Sequence, residues 1–307
     1  MALHFIRRGS GSPLLLVHGI GGSCRSWSTI LDALAAEHEV IAVDLPGHGA
    51  SPPLAGPHTI GTLADALTAF LAEQGLLGID AVGSSMGARL VLELARRGGV
   101  LGAVVSLDPG GFWEGWEVPF FYHSVALSQK LVTALQPVMP TLMHSAAGRT
   151  ALLPQFSARP WAVDAQLAQE EMHSLAHTPV FAELLDALAH GEVQQGAAKG
   201  SLPAPLVIGW GRHDRVCLPG QAPRALAAFP DARLYWFADS GHFPQWDQPA
   251  ETVRLILASV SRQSFRDEDI AAADRRPMKT RALPGAAVAA AGLLVVAGAL
   301  WLLRRQR

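Results

Sequence analysis

Gly83-Ser84-Ser85-Met86-Gly87 sets a hydroxyl midway between two glycines, a spacing suited to nucleophilic chemistry. The motif follows an apolar run over residues 79–83 and precedes residues 87–97, where apolar positions recur at helical spacing. A strand that turns straight into a helix bends sharply. The residue at its apex is forced into a strained conformation that exposes its side chain. The flanking glycines leave room for strand and helix to approach closely. A serine hydroxyl is a poor nucleophile until a neutral imidazole takes its proton. The chain must therefore also supply a histidine base and a carboxylate that orients it.

The elements able to position such groups are short apolar runs alternating with helical stretches, the pattern of a mostly parallel sheet covered on both faces. Strands are predicted over residues 3–7, 14–17, 39–44, 79–83, 100–107, 206–210 and 232–237. Several are continuously apolar, as strands buried on both faces should be. Helices are predicted over 26–37, 62–74, 87–97 and 250–261. Between residues 110 and 201 no strand pattern occurs, only helical stretches divided by Pro137, Pro140, Pro154, Pro160 and Pro179. A segment this long is no simple loop. It reads as a helical insertion rich in large apolar residues, among them Phe112, Trp113, Trp116, Phe121 and Trp161.

Further motifs follow in order. His18-Gly19-Ile20-Gly21-Gly22 comes after the second strand, and Asp44-Leu45-Pro46-Gly47-His48-Gly49-Ala50-Ser51 after the third. Gly211-Arg212-His213-Asp214-Arg215-Val216 and Gly241-His242-Phe243-Pro244 follow the last two. Together with the serine turn these resemble the α/β-hydrolase fold over residues 3–260. The resemblance implies a doubly wound, mostly parallel α/β sheet with a helical cap insertion. It also implies an oxyanion loop at His18-Gly19 and, from the chain order, a triad of Ser85, Asp214 and His242. The loop placements agree, since both partners follow strands at the sheet edge where active sites of such folds gather. Asp108, which ends the preceding strand, is a second candidate for the acid. Asp44 is read as the holder of its own tight turn, and His18 and His48 as loop-shaping. The oxyanion donors are expected to be the backbone N–H groups of Met86, at a helix start, and of Ile20.

The resemblance lies nearest cap-bearing serine esterases. It implies attack of Ser85 on a carboxylic ester-type bond through an acyl-enzyme, with no cofactor and no metal. The expected partner is a small-molecule substrate with an apolar portion. Fold relatives that dehalogenate or open epoxides carry aspartate at the apex, which Ser85 argues against. A C–C bond hydrolase or a cofactor-free, haloperoxidase-like perhydrolase would use the same triad. A non-catalytic binding protein would more typically have lost one of its members.

Among the 307 residues, 24 Lys and Arg against 26 Asp and Glu give a formal charge of −2. That balance offers no basic face for nucleic acid. Cys24 and Cys217 are too few and too far apart for a disulfide scaffold, and are expected as packed thiols in a reducing compartment. The run at 14–17 is shorter than the ~7–15 apolar residues of a signal peptide. Residues 283–303, in contrast, carry no charge and are flanked by Arg275, Arg276, Lys279 and Arg281 before and by Arg304, Arg305 and Arg307 after. A helix of that length spans about 30 Å, the depth of a bilayer core, and Trp301 sits where an interfacial aromatic belongs. The expected organisation is a hydrolase core over 1–110 and 202–261, a cap over 111–201, a polar and basic linker over 262–282, and a transmembrane helix over 283–303. The last would be a tail anchor leaving the catalytic domain in the cytoplasm.

Overall fold

The computed structural model describes residues 2–261. Seven strands form one sheet: β1 (Phe5–Arg8), β2 (Ser12–Val17), β3 (His38–Val43), β4 (Ile79–Ser84), β5 (Leu101–Leu107), β6 (Leu206–Gly211) and β7 (Arg233–Phe237). Their order is β1-β3-β2-β4-β5-β6-β7. Only β1 is antiparallel to its neighbour, and every other pairing is parallel. All seven strands match those predicted, with ends shifted by one or two residues.

Successive strand residues point to opposite faces, so each continuously apolar strand feeds two cores. Leu15 and Val17 of β2 enter one core, together with α2 (Ile60–Glu73) and α3 (Met86–Arg97). Leu14 and Leu16 enter the other, with α1 (Ser28–Ala35) and α11 (Pro249–Val260). All four β2 side chains are fully buried. Each such side chain contributes roughly 1.5–3 kcal/mol, which explains why no polar alternation marks these strands.

Chain direction in the sheet reverses beside β2. The chain passes from β2 outward to β3, then returns across β2 to β4 and continues to β7. Loops after β2 and β4 therefore open at a switch point, where ligands of open α/β sheets bind. Between β5 and β6 lie five helices: α4 (Glu117–Ala134), α5 (Met139–His144), α6 (Ala146–Leu152), α7 (Ala165–His177) and α8 (Phe181–His190). Two shorter helices, α9 (Ala222–Ala228) and α10 (Pro244–Asp247), complete the set.

The linker predicted over 262–282 and the transmembrane helix predicted over 283–303 lie outside the described residues. Among the described residues no helix is long and apolar enough to cross a membrane.

Candidate active site

Ser85 stands at the junction of β4 and α3 with φ 57° and ψ −116°. Ser85 and Asp108 (φ 51°) are the only non-glycine residues with positive φ among those described. The neighbouring glycines show why the bend is possible. A Cβ on Gly83 would lie 2.2 Å from the carbonyl oxygen of Gly87, and one on Gly87 would lie 2.1 Å from that of Val17. Helix and strand are in backbone contact, so the strain at Ser85 is imposed by its surroundings.

The loop after β2 runs beside this apex. A Cβ on Gly19 would meet the Ser85 Cβ at 3.0 Å. Gly22 N–H donates to Gly19 O at 3.1 Å, which closes a turn around Ile20 and Gly21. Ile20 thus directly follows the glycine that abuts Ser85. Met86 opens α3, where the first N–H groups have no partner within the helix and carry its positive end. His18 braces the loop and is no base. Its Nδ1–H donates to Gly19 O (2.7 Å), and its Nε2 accepts from Leu45 N–H (3.0 Å). Burial holds its pKa below the ordinary value and keeps the ring neutral. His48 is likewise buried and held down to about 3, by burial first and by His18 second. Asp44 holds its turn as expected, accepting from Cys24 N–H, Ala50 N–H and His4 Nδ1. Burial raises its carboxyl, but the backbone N–H groups of Ala50 and Cys24 together with His18 and His4 leave it below the usual range.

Across the sheet edge, His242 Nε2 is 2.8 Å from Ser85 Oγ, and His242 Nδ1 is 2.8 Å from Asp214 Oδ2. The carboxylate fixes the tautomer, with the proton on Nδ1 and the Nε2 lone pair facing the serine hydroxyl. Asp214 Oδ1 accepts from Val216 N–H (2.7 Å) and Cys217 N–H (3.1 Å). All three side chains lie in buried residues. The other acid candidate, Asp108, is fully buried and accepts from Gly211 N–H at 2.8 Å. It is Asp214 that contacts the imidazole. His213 is exposed.

Two residues unmarked in the sequence hold this arrangement. Asp247 of α10 accepts from Gly241 N–H (2.7 Å), Ala158 N–H (2.8 Å) and the Ser157 hydroxyl. His242 N–H itself donates to Phe156 O at 2.9 Å. The loop carrying His242 is thereby fastened to residues 156–158 of the insertion. Gly241 serves this closeness, since a Cβ there would come within 2.9 Å of Ala158 N. Arg89, one turn past Ser85 on α3, is 2% exposed. Its guanidinium donates to Leu188 O, Glu192 O and Gln194 Oε1 at the end of the insertion. Gly111, at the insertion's start, lies against the same side chain. Burial lowers the Arg89 pKa to about 10, which leaves it charged at neutral pH.

The insertion also leans on the site loops. Leu175 of α7 packs on Gly21, Ser174 Oγ donates to Gly22 O at 3.2 Å, and Val180 packs on Gly47. Among the described residues, two groups place possible metal-binding atoms within 4.8 Å of one another: His4, Cys24 and Asp44, and Asp214, Cys217 and His242. In both, the carboxylate is already occupied by N–H donors. Burial pushes the Cys24 thiol up to about 12 and the Cys217 thiol well above its ordinary value. Both cysteines are buried and unpaired.

The chain has known relatives. The pattern of the alpha/beta hydrolase family matches residues 14–255. The chain belongs to that family. It is 29% identical over 266 residues to the dihydrolipoyllysine-residue acetyltransferase component of the acetoin cleaving system of Cupriavidus necator, covering 83% of this chain and 65% of that protein. It is 28% identical to 2-hydroxy-6-oxononadienedioate/2-hydroxy-6-oxononatrienedioate hydrolase 2 of Pseudomonas putida, covering 84% of this chain and 91% of that one. A thermophilic esterase from Thermogutta terrifontis shares the fold, with a TM-score of 0.66, 20% identity, and coverage of 84% and 93%.

Proposed function

We propose that this hydrolase-family chain cleaves a carboxylic ester-type bond through an acyl-enzyme on Ser85. The observation that carries the reading is the continuous contact Ser85 Oγ–His242–Asp214, each step 2.8 Å, at a strained backbone apex. His242 Nε2 takes the hydroxyl proton as Ser85 Oγ bonds to the carbonyl carbon. The negative oxygen that results accepts from the N–H groups of Ile20 and Met86, each such donor being worth about 10²–10³ in rate. When the intermediate collapses, the bond to the alcohol breaks and His242 returns the proton to the departing oxygen. Water, deprotonated by the same nitrogen, then attacks the acyl carbon; the bond to Ser85 Oγ breaks, His242 returns the proton to that oxygen, and the acid is released. Asp214 holds the imidazole and offsets its transient charge.

In this reading residues 1–110 and 202–261 are the core and 111–201 the cap. The apolar residues of the cap favour a substrate with an apolar portion. A second reading, hydrolysis of a C–C bond beside a carbonyl, is favoured by the resemblance to the Pseudomonas putida hydrolase. The test begins with a fluorophosphonate probe, which should label the native protein and fail on Ser85→Ala. No labelling of the native protein would refute the reading. Turnover of p-nitrophenyl esters against a vinylogous 1,5-diketone then separates the two bond classes.

A further inference from the structure

Asp108 is the second residue forced into a positive φ, and the proposed mechanism does not use it. It follows β5, its N–H donates to Gly209 O at 2.8 Å, and its Oδ1 accepts from Gly211 N–H. Its Oδ2 is buried, and no donor among the described residues reaches it. An ionised carboxylate with an unsatisfied, fully buried oxygen is costly. The neighbouring groups worsen that cost, because the charges of Asp214 and Asp247 both act on it.

Asp214 presents the complementary opening. An ionised carboxylate has about four lone-pair sites. Three are filled, by Val216 N–H, Cys217 N–H and His242 Nδ1–H. One remains, and the orphaned oxygen on which the Asp214 charge acts, among the described residues, is Asp108 Oδ2.

We propose that Asp108 is a positioning residue, a neutral carboxylic acid that donates its Oδ2–H to the Asp214 carboxylate and fixes that carboxylate against His242. The inference rests on the Ser85–His242–Asp214 reading above. The proton satisfies the orphan oxygen and completes the shell of Asp214 in one bond. Burial first, and the Asp214 charge second, push the Asp108 carboxyl well above the usual carboxylate range, in agreement with that geometry. The titratable groups facing it are Asp214 and Cys217 after β6 and Asp247 of α10. The nearby cation, Arg89 of α3, acts on Cys217.

The sign of one substitution decides the matter. Asn tolerates positive φ, and in Asp108→Asn the amide N–H₂ can replace the O–H donor while its oxygen still accepts from Gly211. If Asp108 is neutral, D108N leaves the acid limb of the kcat/KM–pH profile in place, with activity within about threefold of the parent. If Asp108 is ionised, D108N removes a negative charge near the imidazole, and the limb moves to lower pH. That shift overturns the proposal. Asp108→Gly keeps the backbone unstrained but removes the donor. The less satisfied Asp214 then holds the imidazolium more strongly, so the limb should move to higher pH with kcat down on the order of tenfold. An infrared difference spectrum, parent minus D108N at pH 7, supplies a readout independent of turnover. It should show the carbonyl band of a carboxylic acid, and a carboxylate band instead refutes the proposal. Fluorophosphonate labelling of the parent and of Ser85→Ala checks the triad separately, so the failure of one claim is not mistaken for failure of the other.

Discussion

Glu171 gives the stability of this fold a pH dependence whose sign and size follow from its position. It lies on α7, where the insertion meets the loop after β2, and is 7% exposed. Burial pushes its carboxyl up to about 7; a hydrogen bond with the Ser26 side chain opposes that, and the charge of Glu170 adds to it. The ordinary value is 4.5. At 1.36 kcal/mol per pH unit, the difference corresponds to about 3 kcal/mol. The folded chain binds this proton more tightly than the unfolded chain does. Its contribution is therefore complete below pH 4.5, declines as pH rises from 4.5 to 7, and is gone above that. Glu171→Gln is neutral throughout and cannot show this loss. Urea unfolding of parent and E171Q at pH 5 and pH 8 should show the variant gaining about 2–3 kcal/mol on the parent between the two conditions. Comparing the two differences cancels any fixed cost of the amide. A gap between the proteins that does not change with pH would mean that Glu171 is ionised in the fold, and the reasoning from burial would fail.

Two further outcomes follow from packing. Gly83→Ala places a methyl 2.2 Å from Gly87 O, a backbone atom that cannot swing aside as the end of a flexible side chain could. A loss of about 3 kcal/mol or more is expected, read as a lower Tm together with lost probe labelling; an unchanged Tm would contradict the backbone contact. Arg89→Met should cost about 3–5 kcal/mol, since it strands acceptors at Leu188, Glu192 and Gln194. Limited proteolysis should then cut faster within 188–194, and an unaltered cleavage pattern would show that the guanidinium does not secure that segment.

The fold was legible because its strands are buried on both faces and its turns carry glycines with steric work to do. Gly83 and Gly87 mark the serine apex in any reading, and the structure gives the contact distances behind that mark. Ser85 and His242 were legible for the same local reason, each sitting beside glycines at the end of a strand. The choice between Asp214 and Asp108 was not local. Both acids end adjacent strands, and only the three-dimensional path of the loop after β6 brings one of them to the imidazole. Arg89 and Asp247 left no signal. A charged residue within a helical stretch reads as solvent-facing, and only the return of the insertion over α3 and α10 buries it. Gly241 was legible only as part of the motif that carries His242. Its actual constraint is a chain segment some eighty residues earlier in sequence.

The bond from His242 N–H to Phe156 O means that the proton carrier of the proposed reaction is held in part by the insertion. The insertion is therefore no interchangeable accessory that could be exchanged while the chemistry stays intact. A chimera carrying a foreign insertion would have to bring its own equivalent of residues 156–158, matched to Gly241 and Asp247, or begin with its base adrift. Descent with change of substrate would face the same restriction. The short strip at residues 156–158 and the loop it supports are tied to each other by these bonds, so a change in one asks for a matching change in the other.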